Sequence, residues 1–143
     1  MRVTEAALWK YIKRDGMARV ETGMTAAGVS DVEYVLGTWH GWVELKAVLP
    51  PRVRKPYTLH TPFTVPQLQW LVRHHIPRQR LRSWLLLGVA GAQTWRELVL
   101  LPPPQAVHLL NVRTPVAHEF INGRPGVVRC TGAEDLYHAL TKE

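Results

Sequence analysis

The chain has 143 residues, of which 46% are hydrophobic, and a formal net charge of +7. This length accommodates one domain around a single core, and the apolar share excludes a disordered chain. The basic excess points to a polyanionic partner, most commonly nucleic acid, against the plainer alternative of a basic protein that is merely soluble.

In chain order, Thr4 to Arg14 is expected to form a helix. Thr4 can cap it, Glu5 sits in the first turn where the helix dipole favours an acid, and Gly16 follows its end. Met17 to Thr22 is a short strand candidate, and Gly23 to Gly28 a loop. Val29 to Leu36 alternates, with Val32, Tyr34 and Leu36 on one face and Asp31, Glu33 and Val35 on the other. Gly37 to Gly41 makes a turn into a second strand, Trp42 to Val48, antiparallel to the first. On that strand Trp42, Glu44, Lys46 and Val48 share one face, and Val43, Leu45 and Ala47 the other.

Pro50 to Pro62 reads as a loop, because its prolines bar a regular ladder; it also carries Arg52, Arg54 and Lys55. Thr64 to His75 reads as a second helix, capped by Thr64 and with Pro66 in its first turn. A basic turn with Arg78, Arg80 and Arg82 precedes an apolar run, Ser83 to Ala90, expected to be a buried central strand. Trp95 to Leu101 closes a hairpin, and Pro102 to Pro104 is expected to end the compact part. Asn111 to Cys130 is a candidate strand pair and Gly132 to Lys142 a terminal helix. The sum is an α/β architecture: one domain with a central mixed sheet flanked by helices.

The hairpin returns Glu44 and Lys46 to the neighbourhood of Asp31. A lone acid followed by Glu-x-Lys on the next strand is a minimal kit for metal-dependent phosphodiester hydrolysis. The carboxylates hold a divalent cation, and the lysine stands beside the attacking water or the phosphate. The plainer reading makes Asp31 a turn cap and Glu44–Lys46 an exposed strand pair; Trp42 and Val48 on the same face argue against free solvation. Glu33 shares the face of Asp31 and is read as a solvent or salt-bridge residue. Glu5 is favoured over Glu21 as an auxiliary acid.

Arg52, Arg54 and Lys55 are candidates for phosphate contacts. Gln67 either reaches the site or only starts its helix. His74 and His75 face about 100° apart on a helix, so they join Arg73 and Arg78 in a basic patch rather than sharing a metal. The tryptophans are read as core or interface residues, with Trp39 at the hairpin tip a candidate for base stacking. The histidines and Cys130 show no zinc-ligand spacing. A single cysteine suits a reducing, cytoplasmic compartment. No signal segment and no membrane span are expected.

These residues resemble the PD-(D/E)xK nuclease superfamily, and within it small phage and archaeal-type Holliday junction resolvases and the related VRR-NUC domains. The likeness lies in Glu5 on the first helix, Gly28-Val29-Ser30-Asp31, Glu44-Leu45-Lys46, and Gln67 with Trp70-Leu71. It covers roughly residues 1 to 101, leaving 102 to 143 as a C-terminal extension, and departs at Ser30, where the family usually has proline. The resemblance implies a restriction-endonuclease-like core and a Mg²⁺-dependent endodeoxyribonuclease, with Mn²⁺ as a substitute. Asp31, Glu44 and the Leu45 carbonyl would bind the metal. Glu5 would assist directly or through water. Lys46 would orient or deprotonate the attacking water, or stabilise the developing charge. The substrate implied is branched DNA, a four-way junction above all, cut by a homodimer; a phage origin would place it in the host cytoplasm. A flap, branch or nicking nuclease, and a non-catalytic nucleic-acid-binding module, are the alternatives.

Overall fold

The computed structural model describes residues 1–20, 28–49, 58–110 and 123–143. Helix α1 spans Glu5–Ile12, and the Thr4 hydroxyl accepts from the Ala7 N–H, in keeping with the expected cap. Strand β1, Met17–Arg19, pairs antiparallel with β2, Val32–Leu36, and β2 with β3, Trp39–Leu49. Strand β4, Thr58–Leu59, is followed by α2, Val65–Arg73, which crosses over to β5, Trp84–Ala90. Strand β6, Trp95–Leu101, short helix α3, Pro103–Ala106, β7, Val128–Cys130, and α4, Ala133–Thr141, follow.

Among the described residues the sheet has seven strands in the order β1-β2-β3-β5-β6-β7, with β4 paired to β3. Among these pairs only β3 and β5 are parallel, and the crossover through α2 makes that pairing possible. The centre of the sheet, β5 and most of β3, is buried on both faces. Leu8 and Ile12 of α1 and Leu136 and Leu140 of α4 cover one face, over Val32, Tyr34, Val43, Leu45 and Ala47. Leu71 of α2 and Ala106 of α3 cover the other, with Val48, Leu85, Leu87 and Val99. Each fully buried leucine or isoleucine contributes roughly 1.5–3 kcal/mol. The result is a three-layer α/β domain. Among the described residues no helix is long and apolar enough to cross a membrane.

Four sequence expectations change. The hairpin turn is Gly37–Thr38, because Leu36 already pairs with Trp39. Trp39 is therefore inside the strand and 6% exposed, with the Arg82 guanidinium 3.6 Å from its ring centre, and is not a hairpin tip. Gly41, assigned to the turn by sequence, lies in β3, where a Cβ would sit 1.8 Å from the Arg82 carbonyl oxygen. Within the expected proline-rich loop, Thr58–Leu59 adds a strand to β3.

Residues after Pro102 also belong to the compact structure. Proline is tolerated in a first helical turn, so the proline run opens α3 rather than ending the fold. Of the expected strand pair between Asn111 and Cys130, β7 is seen on β6; residues 111–122 lie outside the described residues. Gly28, with φ +85°, rests on the first turn of α2, where a Cβ would sit 2.3 Å from the Pro66 carbonyl oxygen.

Candidate active site

The site forms where β3 loses its neighbours. Strand β5 covers one edge of β3 from Val43 to Val48. On the opposite edge β2 pairs up to Val43, and β4 pairs only from Val48. Between them, among the described residues, no strand covers β3. The chain fills this gap with side chains: Asp31 from the entry of β2, Glu44 and Lys46 from β3, and His60 and Thr61 from the segment leaving β4.

The Asp31 carboxylate accepts from the Leu45 N–H at 2.9 Å, and its own backbone carbonyl accepts from Val20 at 2.8 Å. In a strand the N–H and C=O of one residue point to the same edge, so the Leu45 carbonyl also faces this gap. The Val32–Val43 register brings Asp31 beside Glu44. Glu44 and Lys46 are 1% and 3% exposed, with Lys46 Nζ 3.6 Å from Glu44 Oε1. Lys46 Nζ donates to Thr61 Oγ1 at 3.0 Å, and the Thr61 hydroxyl donates to Glu5 Oε1. His60 Nδ1 lies 2.5 Å from the other oxygen of Glu5. Asp31, Glu44, Lys46 and Glu5 thus gather at one place, but Glu5 reaches Lys46 through Thr61 rather than closing on the acid pair.

Burial, then the neighbouring Asp31 charge, pushes the Glu44 carboxyl up to about 9; Lys46 only partly offsets them. Burial also raises Asp31, against the Leu45 N–H, the Lys46 charge, a hydrogen bond with the Glu44 carboxyl and the Arg19 charge, which favour its ionised form. Glu44 Oε2 is sealed from solvent, and no N–H or hydroxyl donates to it. A buried carboxylate without a donor is costly unless paired or bound to a cation.

Among the described residues, no three of His, Cys, Asp and Glu converge to hold a metal. The acid pair nevertheless fits a hard divalent cation. Its donors are carboxylate oxygens with a strand carbonyl beside them, one oxygen is orphaned, and Mg²⁺ keeps several waters rather than demanding a full protein cage.

The remaining candidates are spread more widely. Glu33 is exposed and opposite Trp42, outside the cluster. Gln67 Oε1 accepts from the Thr64 N–H and closes a capping box, so its carbonyl is engaged in starting α2. Arg73 is exposed in the last turn of α2. Arg52, Arg54, Lys55 and Glu21 lie outside the described residues. His74 Nδ1 contacts the Trp70 carbonyl at 2.8 Å, whereas His75 Nδ1 accepts from the Ser83 N–H at 3.1 Å, so the two rings do diverge. Trp42 meets Trp70 of α2 edge-on at 5.3 Å. Ser30, at the position of the family's proline, is fully buried and its hydroxyl lacks a partner.

Sequence reasoning missed His60, Thr61 and Arg19. The only signal for the first two was the Leu59-His60-Thr61 run emerging from the prolines, and it has value only once β4 is known to lie on β3.

No family model, curated protein or solved structure matches the chain. Fold and site define its class: an α/β domain with a mixed sheet, seven-stranded among the described residues. The partly buried Asp31 and the buried Glu44 and Lys46 gather beside the gap at the edge of its third strand.

Proposed function

We propose that the chain is a metal-dependent endonuclease with a restriction-endonuclease-like core, acting on branched DNA as a Holliday junction resolvase. The observation that carries this reading is the orphaned Glu44 carboxylate oxygen beside Asp31, with Lys46 at 3.6 Å on the other side of Glu44. Two adjoining acids, Glu44 buried and Asp31 partly so, repel a polyanion, which supports an arrangement for a cation over one for binding DNA alone.

Asp31, Glu44 and the Leu45 carbonyl would hold Mg²⁺ or Mn²⁺. A divalent cation there supplies Lewis acidity, lowering the pKa of water and steadying the leaving oxygen. Lys46 brings a positive charge and N–H donors to the phosphate or the attacking water. The Asp31–Leu45 bond holds the first acid in place, and Thr61 and Glu5 engage the lysine from its far side. The net charge of +7 supports a nucleic-acid substrate. Arg52, Arg54, Lys55 and Arg73 would contact phosphates, and the amide of Gln67 would approach the strand from the start of α2. One chain carries one Asp31–Glu44–Lys46 centre, and resolving a junction takes two cuts, so a two-fold homodimer is the assembly that fits.

The test is cleavage of a labelled four-way junction beside a matched duplex, with Mg²⁺, Ca²⁺ or a chelator. Cuts at two symmetry-related phosphates, made with Mg²⁺ and abolished by chelator, are expected, with Ca²⁺ supporting binding without turnover. Light scattering should give twice 16.3 kDa. A monomer nicking one strand transfers the reading to a flap or nicking nuclease; binding without cleavage transfers it to a non-catalytic module.

A further inference from the structure

Lys46 is held from two sides that compete for it. On one side stands Glu44, at 3.6 Å, the carboxylate with a free buried oxygen. On the other stands Thr61, whose hydroxyl oxygen accepts from Nζ at the shorter distance of 3.0 Å. A hydroxyl has one proton to give. Thr61 gives that proton to Glu5 Oε1, so its lone pairs remain turned to the ammonium. Glu5 is in turn anchored by His60, whose Nδ1 lies 2.5 Å from Oε2 and whose side chain is 38% exposed. The result is a chain from the buried site to the surface, in which the ammonium donates to the hydroxyl, the hydroxyl donates to the carboxylate, and the carboxylate meets the imidazole from its other oxygen. Neither Thr61 nor His60 belongs to the Asp…Glu-x-Lys pattern.

We propose that Thr61, braced by Glu5 and His60, is a positioning residue that draws Lys46 away from Glu44 and so keeps the acid pair open for a divalent cation. This rests on the nuclease reading of the Asp31–Glu44–Lys46 cluster. Without the Thr61 oxygen, the ammonium is left with the Glu44 carboxylate as its ion-pair partner. It closes on that carboxylate and competes directly with the metal. The same movement takes Lys46 from the place where it meets the reacting groups. Thr61 touches neither substrate nor metal in this scheme; its effect passes through Lys46.

The experiment uses the full chain and Mn²⁺ as the probe, with affinity measured by titration calorimetry and cleavage of the labelled junction measured in parallel. Thr61→Val keeps the shape and removes the hydroxyl. It should weaken Mn²⁺ binding by about tenfold, the low end of the cost of losing a direct partner of a metal ligand, because Thr61 acts one step further back through Lys46. It should lower kcat while leaving KM for DNA nearly unchanged. Thr61→Ser, which restores the hydroxyl, should recover both. Glu5→Gln removes the anionic acceptor without removing Thr61 and should shift both quantities in the same direction; Thr61→Ala, which also lacks the hydroxyl, decides the matter if Thr61→Val fails to fold. Wild-type Mn²⁺ affinity and kcat in Thr61→Val overturn the proposal, as does failure of Thr61→Ser to recover them. If the wild-type chain binds Mn²⁺ yet cuts no DNA, the nuclease reading fails, and the Mn²⁺ affinities of the variants still decide the role of Thr61.

Discussion

The Asp31 carboxylate accepts a hydrogen bond from the backbone N–H of Leu45 at 2.9 Å. That bond ties the entry of one strand to the uncovered edge of the next, and it sets which way β3 faces. A slip of one residue would turn Glu44 and Lys46 to the opposite side of the sheet, where Val43, Leu45 and Ala47 now meet α1. One carboxylate therefore acts twice, as a register pin and as half of the acid pair.

Removing either half of that pair should stop the chemistry and spare binding. Asp31→Asn and Glu44→Gln are expected to lower cleavage by at least about a hundredfold, since each removes a charge aimed at the cation. Junction affinity should hold or rise, because a negative charge facing phosphate is gone. Glu33→Gln, on the same strand but exposed, should cleave like wild type. Gel-shift and cleavage assays on the same preparations separate the two effects; an active Asp31→Asn with a dead Glu33→Gln would mean the wrong acid had been chosen.

Glu44 should also show in the pH dependence of stability of the metal-free protein. Its folded-state value of about 9 lies above the ordinary carboxyl value of 4.5. Between those two values the folded chain holds a proton that the unfolded chain has released, so stability falls as pH rises. Denaturant titrations in chelator from pH 5 to 9 should show that decline. Glu44→Gln should flatten it and be more stable at the alkaline end, by an amount on the order of 1–4 kcal/mol. A wild-type profile that rises across this range would contradict the assignment.

His75 should work in the opposite direction. Burial, then the nearby Arg82 charge, holds its pKa below the ordinary 6.5. Its Nδ1 accepts the Ser83 N–H, and a proton there would turn an acceptor into a donor facing a donor. The unfolded chain binds the proton first, so this contribution is present above about pH 6.5 and is lost as pH falls below it. His75→Asn, which can keep an acceptor without a titrating ring, should be less acid-sensitive in thermal melts. Equal acid sensitivity in both proteins would remove His75 from the account.

The basic segment is testable through salt. Neutralising Arg52, Arg54 and Lys55 together should weaken DNA binding and flatten the log–log salt dependence by about 0.9 for each phosphate no longer neutralised. An unchanged slope would make the segment a solvated loop.

The acid pair and the lysine were legible because period-two alternation alone puts Glu44 and Lys46 on one face and brings Asp31 back beside them. The capping of α1 by Thr4 and of α2 by Thr64 was legible for a similar reason: each is a local hydrogen bond. What escaped depends on distant pairing. Strand β4 is two residues long among prolines and has no period to read, yet it delivers His60 and Thr61. Trp39 was misplaced because a hairpin turn of two residues and one of five fit the same glycines. The proline run before α3 has two local meanings, a stop or a first turn, and only packing against Leu71 and Leu109 separates them.

Gly28 carries no functional group, yet one half of the acid pair is delivered from it. Its main chain lies against Pro66, a main-chain neighbour that cannot swing aside as a side-chain tip would. A larger residue there would push the strand entry outward, and Ser30 and Asp31 would travel with it. Inactive variants of this protein should therefore come in two kinds that an activity screen cannot tell apart. Some lack a reagent, such as Glu44. Others, at Gly28, keep every reagent and lack only the spacing between them.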